Sequence, residues 1–213
     1  PKTWVDYLLN VEDENKSLRE KNLYLSLEME SMYYLKSEND ELKEMLEFKE
    51  ETKISVQSAK VISKGIQPNL ISILINLGKV DGVKKNQPVL TPYGVVGKVV
   101  ELSNKSSNVQ LISDMNFRIS VRIMPSGATG ILRWLDKGMA QIREVQKNVD
   151  INIGDKVITS GFSDIYPSGL PVGEVAGVYD DRSSFQKIIN ITLPNNLSSF
   201  QNVFVITEPI NGD

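Results

Sequence analysis

With 213 residues, 40% of them hydrophobic, and a formal net charge of −3, the chain has room for one large domain or two small ones and is too apolar to be disordered throughout. It contains no histidine and no cysteine, which excludes imidazole-based nucleophilic systems and nearly all zinc sites, so neither metal nor cofactor is expected. Its lysines and arginines are scattered and form no basic stripe, which excludes nucleic acid as a partner.

The chain opens at Pro1-Lys2-Thr3-Trp4, without an initiator Met and already close to a helix. We therefore expect a fragment from which an N-terminal segment has been removed. Apolar runs stay short, as in Val95-Val96 or in Leu70-Ile71 and Ile73-Leu74-Ile75 split by Ser72. None approaches the roughly 20 residues that span a bilayer.

From Trp4 to Glu51 there is neither Pro nor Gly, and Glu, Lys, Leu, Ser, Asn and Met dominate. This composition predicts one helix, longer than an ordinary globular helix. In heptads, Leu8, Asn15, Asn22 and Met29 share one seam position, and Val11, Leu18, Leu25 and Met32 share the other. Asparagine on a seam lowers stability while favouring a two-stranded, in-register state. A homodimer or higher homo-oligomer formed through these eight residues is expected. Leu35 and Leu42 fall off the seam, so the register is expected to shift near residue 35.

After Lys53 the texture changes to Val, Ile, Thr, Gly and Pro. Strict alternation in Phe117-Arg118-Ile119-Ser120-Val121-Arg122-Ile123 marks a half-buried strand, and Phe185, Lys187, Ile189, Ile191 and Leu193 share one face of another. Ten more strands are predicted at 56–62, 70–77, 88–91, 95–102, 108–112, 130–134, 139–143, 156–160, 173–179 and 202–206. No helix-length segment intervenes, which points to a sandwich or barrel and away from βαβ units.

A weak repeat sharpens this. Val80-Asp81-Gly82-Val83 leads through Val89-Leu90-Thr91 to Gly94-Val95-Val96-Gly97-Lys98-Val99. Val149-Asp150-Ile151 leads through Val157-Ile158-Thr159 to Gly169-Leu170-Pro171-Val172-Gly173-Glu174-Val175. The shared pattern suggests two related small barrels, the second with a longer loop from Gly161 to Ser168. Gly82, Gly94, Gly97, Gly161, Gly169 and Gly173 are expected at turns and bulges needing positive φ. Gly94-x-x-Gly97-Lys98 is followed by a strand, not by the helix that a phosphate-cradling loop opens.

Both repeat copies also carry a family resemblance. Asn76-Leu77-Gly78-Lys79-Val80-Asp81-Gly82-Val83 with Gly94 to Val99 resembles one signature of the MreC family. Gly154-Asp155-Lys156-Val157-Ile158-Thr159-Ser160-Gly161 with Tyr166-Pro167-Ser168-Gly169 to Val175 resembles a second. Position 86 is Asn where the family often has Gly, which touches one turn. The resemblance covers roughly residues 4–208 and implies two six-stranded barrels, shaped like those of trypsin-like proteases, behind a coiled coil. It also implies a cell-shape scaffold on the periplasmic side of the cell membrane, anchored by a transmembrane helix preceding this fragment. The implied partners are a penicillin-binding transpeptidase, the membrane protein MreD and the actin-like protein MreB.

The expected fold is therefore mainly β: a coiled-coil helix over 1–53, a first barrel over 54–126, a second over 127–208 and a tail over 209–213. The strands of 54–76 have an alternative home in the second barrel. No catalytic residue is expected. Asp180 and Asp181 are adjacent and read as part of a turn with Arg182-Ser183-Ser184, and Ser160 has only a lysine such as Lys156 as a candidate base. Phe162 and Tyr166, in the extra loop of the second repeat, are the candidate partner-docking residues, with core packing as the alternative. The competing function is the periplasmic adaptor of an export system, disfavoured because no returning helix follows the first.

Overall fold

The computed structural model describes residues 2–51, 54–67, 70–180, 185–194 and 200–207, with side chains except at 2–14, 50–51 and 66–67. Helix α1 spans Lys2–Glu51, an uninterrupted helix as the absence of Pro and Gly requires. Leu18, Leu25, Met29 and Met32 are exposed along it, as are Asn15 and Asn22. The side chains of Leu8 and Val11 lie outside the described residues. No helix among the described residues is long and apolar enough to cross a membrane.

Twelve strands follow: β1 (Val56–Gln67), β2 (Leu70–Ile75), β3 (Pro88–Thr91), β4 (Gly94–Leu102), β5 (Ser107–Leu111), β6 (Ile119–Met124), β7 (Thr129–Asp136), β8 (Met139–Gln146), β9 (Lys156–Thr159), β10 (Pro171–Asp180), β11 (Gln186–Thr192) and β12 (Asn202–Ile206). They close two antiparallel six-stranded barrels. The first runs in the order β1-β12-β3-β4-β5-β2 and the second β10-β11-β8-β7-β6-β9. Closure leaves no free sheet edge.

Ile73, Ile75, Val89, Val99, Val109, Val203 and Val205 fill the first barrel. Val121, Ile123, Leu132, Ile142, Ile189 and Ile191 are fully buried on the strands of the second. Each such side chain contributes about 1.5–3 kcal/mol of hydrophobic stabilisation, taken as an upper estimate. Near the end of α1, Phe48 stacks on Phe204 of β12 with ring centroids 5.4 Å apart.

The pairing corrects the expected boundaries. Strand β6 belongs to the second barrel, paired with β7 and β9, so the division falls between β5 and β6 and not at 126/127. The last strand, β12, returns to the first barrel between β1 and β3. The second barrel is thus inserted into the first, and β1 and β2, covering 56–75, belong wholly to the first. Alternation along a strand reports which face is buried, but not which distant strand supplies the hydrogen bonds.

The repeat is structural. Asp81 Oδ2 accepts from Gly78 N at 2.9 Å, and Asp155 Oδ2 accepts from Asn152 N at 2.9 Å, closing equivalent turns. Gly82, Gly94, Gly161 and Gly169 have positive φ. Gly97 and Gly173 do not, which corrects their reading as turn residues: both sit within strands beside bulges. A Cβ at Gly97 would collide with the Gln110 carbonyl, and one at Gly173 with the Thr192 carbonyl. Neighbouring backbone, not turn geometry, is what demands glycine there. Asn86 adopts φ 69°, a left-handed conformation that asparagine tolerates.

Candidate docking site

Where the barrels meet, the two sequence signatures face each other. Tyr166, from the loop between β9 and β10, is only 3% exposed. Its hydroxyl donates to the Gly97 carbonyl of β4 at 3.3 Å, and its ring packs edge-on against Phe117, centroids 6.3 Å apart. Burial holds the phenol well above its ordinary range, so it remains a neutral donor. Gly94 completes the contact: a Cβ there would lie 2.5 Å from the Pro171 carbonyl of β10. Tyr166 therefore presents no surface to a partner in this structure, and its place as a docking residue is corrected to one in the junction.

The linker between β5 and β6 is pinned by Asp114, which is buried. Its Oδ2 accepts from Ile71 N at 2.7 Å, and its Oδ1 from Gln110 Nε2 and Asn116 N, both at 2.9 Å. Sequence reasoning passed over Asp114; the available signal was the Asp-x-Asn spacing of an Asx turn. Removing the carboxylate strands three donors, so Asp114→Ala is expected to cost about 2–3 kcal/mol, measurable as a lowered urea midpoint.

Phe162 behaves oppositely. It lies only four residues from Tyr166 yet is 72% exposed. The loop that presents it is held at its base. Thr159 Oγ1 donates to the Pro167 carbonyl and accepts from Leu170 N at 2.9 Å. Ser160 Oγ lies 2.8 Å from Ser120 Oγ and accepts from Phe162 N at 3.2 Å. The Ser160 hydroxyl is thus engaged in loop structure. Lys156, the lysine weighed as its base, is exposed on β9. The Arg122 guanidinium sits 5.8 Å from the Phe162 ring centroid.

A cleft of about 430 Å³ opens between the barrels, lined by Tyr93 and by Lys156, Ile158, Pro171, Glu174 and Pro194 among others. Asp180 forms an ion pair with Lys147 at 3.6 Å, while Asp181 and the expected turn through Ser184 lie outside the described residues. Trp134 is half-buried on β7.

Comparisons with known proteins agree with this architecture. The family model for the rod shape-determining protein MreC, barrel core, matches residues 61–207. The cell shape-determining protein MreC of Escherichia coli (strain K12) is 31% identical over 187 residues, covering 84% of this chain and 49% of that protein. The chain thus spans about half the length of that curated relative. A solved structure of MreC superimposes with a TM-score of 0.74 at 26% identity, covering 81% of this chain and 98% of that one. A solved complex between a penicillin-binding protein (PBP2) and MreC from Helicobacter pylori gives a TM-score of 0.57 at 21% identity, covering 73% of this chain and 99% of the matched chain, and shows a shared fold.

Proposed function

The chain belongs to the MreC family, and on that premise we propose that it is a non-catalytic scaffold of the cell-wall elongation machinery, maintaining cell shape by self-associating and by docking wall-synthesis proteins. The helix brings copies together, and the barrels receive a penicillin-binding transpeptidase. MreD and MreB are further partners, and the barrels stand on the periplasmic side of the cell membrane, held there by a transmembrane segment. The observation that carries the docking role is Phe162, an aromatic left 72% exposed on a loop whose base is tightly hydrogen-bonded. A rigidly presented aromatic offers contact area with few rotors to freeze. The complex of a family member with a penicillin-binding protein supports the choice of partner.

The test is binding of the cognate transpeptidase to the purified chain. Phe162→Ala is expected to leave the melting temperature nearly unchanged and to weaken binding at least about tenfold, equivalent to 1.4 kcal/mol. Unchanged affinity removes Phe162 from the interface, and absence of any binding by the parent chain refutes transpeptidase docking.

A further inference from the structure

Strands β6 and β9 of the second barrel turn a distinctive mixture of side chains outward. Alternation places Ser120, Arg122 and Met124 of β6 on the outer face, with Lys156 and Ile158 of β9. Register sets Arg122 opposite Ile158 and Met124 opposite Lys156. On β10, Pro171 lies opposite Ile158, and Glu174 opposite Lys156. Cations therefore alternate with apolar groups in both directions across this face, and Glu174 is the carboxylate at its margin. The face runs into the interbarrel cleft at one end, since Lys156, Ile158 and Pro171 also line that cleft. At the other end stands the exposed ring of Phe162, resting against the Arg122 guanidinium.

One atom gives this face a preference. Arg122 Nε is shut away from solvent and has no hydrogen-bond partner among the described residues. A buried charged donor without an acceptor is unfavourable, and a carboxylate is the acceptor that best matches a guanidinium. The Phe162 ring lies over that guanidinium and is itself largely open to solvent, so an incoming chain can replace or flank it with both an apolar side chain and an anionic one.

We propose that the β6–β9 face, from the interbarrel cleft to Phe162, binds an extended polypeptide segment of the partner in which acidic and apolar residues alternate, its carboxylate completing Arg122. The assignment rests on the reading that the barrels dock a partner through the Phe162 loop, and it supplies the chemistry of that partner. The spacing fits: residues alternating along an extended segment match the two-residue period of the strands beneath, and opposite charge gives both specificity and faster encounter.

The experiment titrates the full chain, followed by amide NMR, with two synthetic peptides of equal length, one alternating Asp with Leu and the other Lys with Leu. The Asp–Leu peptide is expected to bind at least about tenfold more tightly, shifting the amides of Ile158 and Phe162. Arg122→Glu is expected to abolish or invert that preference, and Lys156→Glu to reduce it, each with a melting temperature close to that of the parent chain. Equal affinity for the two peptides, or a preference that survives Arg122→Glu, overturns the proposal. The outcome separates from the docking reading itself. Transpeptidase binding without a peptide preference removes the acidic chemistry alone. A preference without transpeptidase binding supports this site and removes that partner.

Discussion

If the chain self-associates through α1 as proposed, replacing Leu18 and Leu25 together with Asp is expected to leave a monomer in sedimentation velocity. Both side chains are more than half exposed on α1, at 52% and 59%, and lie one heptad apart. A 50-residue helix is about 75 Å long at 1.5 Å per residue, and its apolar groups have little to cover them except another helix. Burying a leucine in such a seam stabilises by about 1.5–3 kcal/mol. The double substitution removes that twice per chain and places carboxylates where they would need to be desolvated. In the proposed assembly, Asn15 and Asn22 on the neighbouring seam would make the association modest and favour two strands, leaving little reserve to absorb the change. An oligomer of unchanged mass would move self-association to the barrels.

Tyr166→Ala is expected to destabilise the barrel unit by about 3–5 kcal/mol, the range for emptying a buried aromatic site, or a drop in melting temperature of roughly 10 °C. Tyr166→Phe isolates the hydrogen bond to Gly97, which at 3.3 Å is long, and is expected to cost only about 1 kcal/mol. The same residue has a pH signature. Its folded pKa is raised above the ordinary value of 10.0, so the folded state holds the proton after the unfolded chain has released it. Its contribution is fully present below about pH 10 and is lost as pH rises above that, by up to about 1.4 kcal/mol per pH unit. Tyr166→Phe should remove that part of the alkaline decline. A flat difference between the two proteins from pH 9 to 11 would show that the phenol is not sealed in the folded state.

The pair Phe162 and Tyr166 marks the limit of what the residues alone could reveal. Both are aromatic, both lie in the same loop, and nothing local separates them. Tyr166 is buried against Gly97 and Phe117, from a different part of the chain, while Phe162 stays exposed beside Arg122. Local features were legible. An unbroken run without Pro or Gly became α1, and each predicted strand has its counterpart among β1–β12, because the alternation of apolar residues records the face that is buried. The Gly-rich signatures were visible as repeats, but that they meet at the junction was not. The return of β12 was equally hidden, since Val203, Phe204 and Val205 would suit the interior and wall of either barrel.

That return has a consequence for how the molecule is made. Residues 119–192, which contain all strands of the second barrel, form a contiguous stretch that can close as soon as its last strand exists. The first barrel must wait for β12, with β1 and β3 facing an empty slot until residues 202–206 arrive. Between the end of β5 at 111 and the end of β12 at 206 lie 95 residues, on the order of 5–20 s of synthesis. During that interval two apolar strand edges are open to mispairing with neighbouring nascent chains. Biogenesis is therefore ordered from the inserted barrel outward. A truncation after residue 192 and before residue 202 should leave an intact second barrel attached to an aggregation-prone remnant, so one proteolytic clip in that stretch would inactivate the first barrel.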